Sequence, residues 1–278
     1  NFDFELVIGE DCSTDNTRQI CEAYIEKSNV IRLLPSSSNL GVSYNFIRTL
    51  RCCSGRYIAF CEGDDYWTDP FKLQKQVDFL EANAEYGLVH TGFAIHDLND
   101  KEIFLFNKKM PVGNVFFETQ KRSVASTLTT VMRGEIVQKL IERAQNENLW
   151  FIIDVWLWNQ CAINWKIHFI PEITAVYHSH PGGITKNKEF FKLKLPLIDL
   201  DVCHSYLKSG KTTTFKEKFI LSTTFFRAFL AILRAGKGAP YRKNAFSLCR
   251  ENKWLIMGIF PALYAKVKSR IKRLDFAE

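Results

Sequence analysis

Short apolar runs along the chain alternate with stretches of helical spacing. Phe4-Glu5-Leu6-Val7-Ile8 reads as a mostly buried strand that stops at Glu10-Asp11. Ser13-Thr14-Asp15-Asn16-Thr17 then opens a helix carrying Ile20, Cys21 and Tyr24, with Ser and Thr as natural caps and Asp15 suited to the helix dipole. Val42, Phe46, Ile47 and Leu50 share one helical face between Asn39 and Gly55. Tyr57-Ile58-Ala59-Phe60 is a second buried strand, and Asp69-Pro70 starts a helix with Leu73, Val77 and Leu80 on one side. Gly87 to Ile95 and Ser126 to Met132 read as later strands, the second following a loop around Pro111 and Gly113. This alternation predicts an α/β fold: a mostly parallel sheet, mixed in its later strands, flanked by helices.

Two of these strands end in carboxylates. One runs into Glu10-Asp11 and the other into Cys61-Glu62-Gly63-Asp64-Asp65-Tyr66-Trp67. Taken singly, either is as easily a solvated loop. Together, on the edge of a sheet where helices begin, they fit a nucleotide-diphosphate site. Carboxylate oxygens suit hard divalent cations such as Mg²⁺ or Mn²⁺, and such ions bridge to phosphate. Asp154 stands alone among eight bulky apolar residues in Trp150-Phe151-Ile152-Ile153-Asp154-Val155-Trp156-Leu157-Trp158. Burying it outright is costly, so it either faces a cleft or caps a core helix. A dry aromatic setting raises a carboxyl pKa into the range useful for proton transfer. Trp156 and Trp158 are core residues or flat faces for a sugar.

Four segments in register carry a resemblance. Phe4 to Thr17, Asn39-Leu40-Gly41-Val42-Ser43-Tyr44-Asn45-Phe46, Gly55-Arg56-Tyr57-Ile58, and Glu62 to Pro70 together look like the family-2 glycosyltransferases, along roughly residues 1–185. The resemblance implies a GT-A fold and an enzyme of the glycosyltransferase class. It implies inverting transfer of a sugar from a nucleotide donor, a UDP-sugar, with Mn²⁺ or Mg²⁺. It also implies a first strand and helix that the chain as read lacks, so that it resembles a fragment of the family's catalytic domain. Carried over, Asp11 accepts from the nucleotide base, Asn45 lines the donor pocket, Asn39 either joins it or only caps a helix, and Glu62 touches ribose or supports the metal. Asp64 ligates the metal with Asp65 beside it, and Asp154 is the general base. In Tyr177-His178-Ser179-His180, His180 takes the place of a closing-segment histidine that completes the metal shell or contacts phosphate. Glu62 stands where the family usually has Asp.

Charge divides the chain. Residues 1–185 hold 17 Lys and Arg against 23 Asp and Glu, a net of −6, while residues 186–278 hold 20 against 7, a net of +13. The expected organisation is a catalytic domain over 1–185 and a basic helical region over 186–278. Nucleic acid is not expected as a partner, because no binding motif is present and the acidic half repels it. A basic tail with the broken apolar runs 219–233 and 254–260 fits either peripheral contact with an anionic cytoplasmic membrane face or packing within the protein. Neither run reaches the ~20 apolar residues of a span. Eight cysteines without paired metal spacing fit a reducing cytosol. The expected acceptor is a carbohydrate or a lipid-linked carbohydrate, by single addition. A nucleotide-sugar-binding module without turnover and a nucleotidyltransferase are the alternatives.

Overall fold

The computed structural model describes residues 2–97, 103–106, 110–149, 151, 153–235 and 246–258. The basic stretch over 259–278 lies outside the described residues. In chain order the first elements are β1 Leu6–Ile8, α1 Thr17–Ile25, β2 Ile31–Leu33, α2 Val42–Arg51, β3 Tyr57–Ala59, β4 Tyr66–Trp67 and α3 Lys72–Ala82. There follow β5 Tyr86–Asp97, β6 Ile103–Phe106, α4 Phe116–Thr119, β7 Val131–Arg133, α5 Gly134–Asn146, α6 Asp154–Asn164 and β8 Lys166–Ser179. Two long helices, α7 Lys188–Lys208 and α8 Phe215–Ala235, come last, before a 3₁₀ stretch over Lys253–Gly258. The chain divides into two compact units, Asn1–Val115 with Ser123–His180, and Phe116–Arg122 with Pro181–Glu278.

The first unit is α/β, as the alternation predicts. Its pairing is less parallel than expected. β1 and β2 form a parallel pair, while the six-stranded sheet runs β3-β7-β5-β8-β4 with β6 on β5. In that sheet only β5 and β8 are parallel among the described residues, and β3–β7, β5–β7, β4–β8 and β5–β6 are antiparallel. Local pattern sets strand existence, but pairing depends on long-range register. The region expected as one strand from Ser126 to Met132 is instead a 3₁₀ turn, Thr127–Thr129, running into β7.

Leu80, Val89 and Val131 pack at the centre, with Tyr57, Leu73, Phe79, Tyr86 and Ile170 around them. Arg133 closes the end of α3: Nη2 donates to the carbonyls of Leu80 and Asn83 at 2.6 and 3.1 Å, and Nε donates to that of Tyr86 at 2.8 Å. Cation donors suit the orphan carbonyls of a helix C-terminus. The buried side of α3 corrects the expected face. Leu80 is on it, but its companions are Lys72 and Gln76, while Leu73 and Val77 are half-buried. On α1, Ile20 and Tyr24 are exposed instead of buried.

In the second unit α8 buries Leu221, Phe225, Ala228 and Ile232, a helical stripe. Arg227, which interrupts the apolar run, lies 3.6 Å from Asp199 of α7. Phe116 stacks on Tyr206 at 4.3 Å between ring centroids. Among the described residues no helix is long and apolar enough to cross a membrane.

Candidate active site

The antiparallel pairing of β4 with β8 sets Tyr66 opposite Val176 and Trp67 opposite Ala175. The acidic segment before β4 is thereby carried to the end of β8. Asp65 Oδ1 accepts the His178 amide at 2.9 Å, and His178 Nδ1 donates to the Asp64 carbonyl at 2.5 Å. His180 Nε2 lies 3.2 Å from Asp64 Oδ2. Burial, with the Asp64 charge adding to it, pushes the Asp65 carboxyl up to about 6. The Asp64–His180 pair offers one carboxylate and one imidazole to a cation. Among the described residues no group of three His, Cys, Asp or Glu forms a closed metal cage.

A second acidic pair forms at the other side of the segment. β3 runs antiparallel to β7, and the contact continues where the Phe60 amide donates to the Thr130 carbonyl at 3.3 Å. That hydrogen bond anchors the chain just before the acidic residues beside the Thr127–Thr129 turn. Thr127 Oγ1 donates to Asp154 Oδ2 at 2.8 Å. Asp154 is the first residue of α6, and Ile153, not Asp154, caps the helix. Burial raises the Asp154 pKa, opposed by the Thr127 hydroxyl, the Val155 amide and the Trp158 indole. Trp158 Nε1 is buried and makes no full hydrogen bond, so its influence on the carboxylate acts over a longer contact.

Glu62 shares this corner. Its residue surface is exposed, yet its carboxyl sits among enough protein to raise its pKa to about 7. Both observations fit a group looking into a cleft, where walls displace water without covering the whole side chain. Burial is the main cause, Thr127 opposes it by hydrogen bonding, and the charges of Asp154 and Asp65 add to it. Like charges in a poorly solvated cleft raise one another's proton affinity.

The turn that carries Thr127 is clasped from beneath by three side chains that apolar patterning does not mark as site residues. Trp67 Nε1 donates to the Leu128 carbonyl at 2.8 Å. Gln76 Nε2 donates to the carbonyls of Thr129 and Val89 at 2.8 and 3.1 Å. Lys72 Nζ donates to Gln76 Oε1 at 2.7 Å and lies 4.6 Å from the centre of the Trp67 ring. The signal for this arrangement was Lys72 and Gln76 four residues apart, on the same face as Leu80.

The remaining predicted residues gather elsewhere in the unit. Asp11 Oδ1 and Oδ2 accept the amides of Leu40 and Gly41, each at 2.8 Å, at the start of α2. Gly41 has φ of +79° there, a conformation that favours glycine. Asn39 Nδ2 donates to the Asp11 carbonyl at 2.9 Å, and Asn45 Nδ2 donates to the Gly9 carbonyl at 2.5 Å. These residues build the loop between β1 and α2. Among the described residues no hydrogen bond or ion pair joins this set to the Glu62–Asp65 set. Trp156 and Trp158 are fully buried and present no face to a sugar.

Known proteins resemble this chain in sequence and in fold. The family described as Glycosyl transferase family 2 matches residues 1–141. An uncharacterized protein of Mycobacterium tuberculosis is 32% identical over 189 residues, covering 66% of this chain and 52% of that protein. The chain thus spans about half the length of that relative. S. aureus TarS 1–349 in complex with UDP-GlcNAc superposes with a TM-score of 0.58 at 16% identity, covering 87% of this chain and 70% of that 1–349 chain. The mannosyltransferase PcManGT from Pyrobaculum calidifontis, in complex with GDP-Man and Mn²⁺, gives 0.52 at 14% identity, covering 94% and 78%. At such identities the likeness is one of fold.

Proposed function

Since this chain belongs to glycosyl transferase family 2, we propose that it moves a sugar from a nucleoside-diphosphate donor, a UDP-sugar, to a hydroxyl of a carbohydrate or lipid-linked acceptor, with inversion at the anomeric carbon. The observation that carries the reading is Asp154. Its carboxyl has a raised proton affinity, is oriented by the Thr127 hydroxyl at 2.8 Å, and lies close enough to Glu62 for their charges to interact. A carboxylate held in that state takes the acceptor proton as the hydroxyl oxygen attacks the anomeric carbon and the bond to the diphosphate breaks.

Asp64 and His180 fit a divalent cation that arrives with an anion. They supply two donors at one point, leaving the other positions to diphosphate oxygens and water. Imidazole favours Mn²⁺ over Mg²⁺. When bound there, the ion supplies positive charge against the departing diphosphate. Asp65 holds the His178 backbone and so keeps His180 beside Asp64. Asp11, with Asn39 and Asn45 shaping its loop, still has lone pairs free to accept from the nucleotide base.

UDP release from UDP-sugars in the presence of Mn²⁺ tests the reading. Donor binding without any release, with or without acceptors, would instead favour a binding module. The excess of 20 basic over 7 acidic residues in 186–278 further supports peripheral contact with an anionic membrane. Removing residues 253–278 weakens partition onto phosphatidylserine vesicles, most visibly at low salt. Equal partition of the two forms would leave that region as ordinary packing.

A further inference from the structure

The Thr127–Thr129 turn takes its shape from within and its place from outside. The Thr129 amide and the hydroxyls of Thr129 and Thr130 all donate to the Ser126 carbonyl, at 3.0, 2.7 and 2.8 Å. Two carbonyls of the turn are held by other elements, Leu128 by Trp67 and Thr129 by Gln76, both at 2.8 Å. We propose that Gln76, locked by Lys72, is a positioning residue for sugar transfer, which together with Trp67 places the turn so that the Thr127 hydroxyl meets Asp154. The proposal rests on the glycosyltransferase reading above and adds to it the residues that aim its base.

Gln76 is wholly buried and uses its entire amide. Nε2 donates to the carbonyls of Thr129 and of Val89, the second at 3.1 Å, while Oε1 accepts from Lys72 Nζ at 2.7 Å. The reverse orientation would set the amide oxygen against two carbonyl oxygens, so the group has one arrangement. Val89 belongs to β5, which pairs with β7 on one edge and β8 on the other. The amide therefore ties the turn to the middle of the sheet, across 53 residues of sequence. Lys72 Nζ also lies 4.6 Å from the centre of the Trp67 ring, which links the two anchors.

This placement reaches the base through Thr127. Its backbone adjoins the anchored carbonyls of Leu128 and Thr129, and a β-branched side chain is stiff at χ1. Moving the turn therefore moves the hydroxyl that donates to Asp154 Oδ2 at 2.8 Å. A misplacement of about 1 Å near the reacting groups can cost ~10²-fold in rate. Packing alone does not call for such a clasp. Leu80 fills the same buried face of α3, and apolar residues at 72 and 76 would extend it without burying an amine and an amide. A costly break in core patterning is expected where function requires it.

The test is an NMR pH titration of the full chain labelled with ¹³C at its aspartate carboxyls, with Asp154→Asn identifying the Asp154 signal. Glu62, whose charge interacts with Asp154, stays in every variant. The Thr127 hydroxyl lowers the Asp154 pKa, so Thr127→Val moves the midpoint up by about one pH unit. Gln76→Leu, which keeps bulk and removes both donors, moves it the same way. On top of Thr127→Val it adds nothing, because it acts through that hydroxyl. Trp67→Phe keeps a ring beside Lys72, loses the Leu128 bond and gives a smaller upward move; it decides the matter if Gln76→Leu does not fold. A merely loosened core admits water and moves the midpoint down. A downward or absent move in any of these single variants, or a further move on top of Thr127→Val, overturns the proposal. In parallel, Mn²⁺-dependent UDP release is followed with UDP-glucose, UDP-galactose and UDP-N-acetylglucosamine. In Gln76→Leu kcat falls about 10²-fold while donor KM stays within about twofold, and a raised KM at unchanged kcat overturns the proposal. No release by the wild type from any of the three speaks against the glycosyltransferase reading, and the titration alone then decides whether Gln76 sets Asp154.

Discussion

At the end of β1, Glu10 and Asp11 are both held by hydrogen-bond donors. Glu10 is buried but bound by the Ser13 amide and by Arg18 at 3.1 Å, and those hydrogen bonds hold its pKa below the usual range. Each Asp11 oxygen accepts one amide, those of Leu40 and Gly41 just before α2. At the end of β3 the balance is reversed. Glu62, Asp65 and Asp154 all have raised pKa values, with burial the main cause for each. Among the described residues no Lys or Arg offsets any of them. The first set builds a loop. The second is a cleft of carboxylates that, among the described residues, has only the imidazoles of His178 and His180 and no Lys or Arg against its charge, a condition expected where a metal-bound substrate supplies a cation.

The same substitution at the two sites separates these roles. Asp154→Asn removes a proton acceptor while keeping shape, and transfer falls about 10²–10⁴-fold with donor affinity retained. Because it also removes a poorly solvated charge, its Tm is unchanged or higher. Wild-type transfer by this variant would reassign the base. Next in size is Asp64→Ala, which weakens Mg²⁺-dependent UDP binding by at least the ~10–100-fold typical of damage to a metal site's surroundings. Calorimetry with and without the metal measures it, and unchanged affinity would remove Asp64 from the metal. Asp11→Asn should do the opposite of Asp154→Asn in stability. It leaves only one oxygen for two amides at a helix start, so about 1 kcal/mol is lost. A Tm equal to wild type would show that the loop stands without the carboxylate.

Much of this contrast could not be read from one chain. The strand ends and both acidic clusters were legible because buried strands and helix starts leave local patterns. Whether a carboxylate is satisfied depends on partners far along the chain. Asp11 meets Leu40 and Gly41, and Glu62 meets Thr127 and Asp154 only because β3 pairs with β7. Thr127 lay inside what read as a continuous strand, so nothing marked its hydroxyl. His180 was legible as a site residue only through the resemblance, and the β4–β8 register is what puts it beside Asp64. The polar face of α3 was missed for a different reason. A stripe of Leu73, Val77 and Leu80 satisfies helical spacing, and burying Lys72 is the choice that apolar patterning ranks last.

Lys72 therefore offers the finest test, since it is a buried charge of the opposite sign under the same acidic segment. It is 1% exposed, and burial pulls its pKa down to about 7 against the opposing influence of Cys61 and Asp69. In the unfolded chain a lysine titrates near about pH 10.4. Between about pH 7 and 10.4 the folded protein consequently binds fewer protons than the unfolded chain, so Lys72 makes stability rise with pH across that window. Below about pH 7 the full cost of the buried ammonium is present. Lys72→Met abolishes this slope but leaves Gln76 Oε1 without its donor, a loss of about 1–3 kcal/mol at every pH. The variant should compare best with wild type near about pH 6.5 and fall progressively behind it toward about pH 9.5, in a series of Tm measurements. Parallel curves would mean that Lys72 is solvated in the folded protein, and that the cleft's uncompensated negative charge is not matched by a buried cation beneath it.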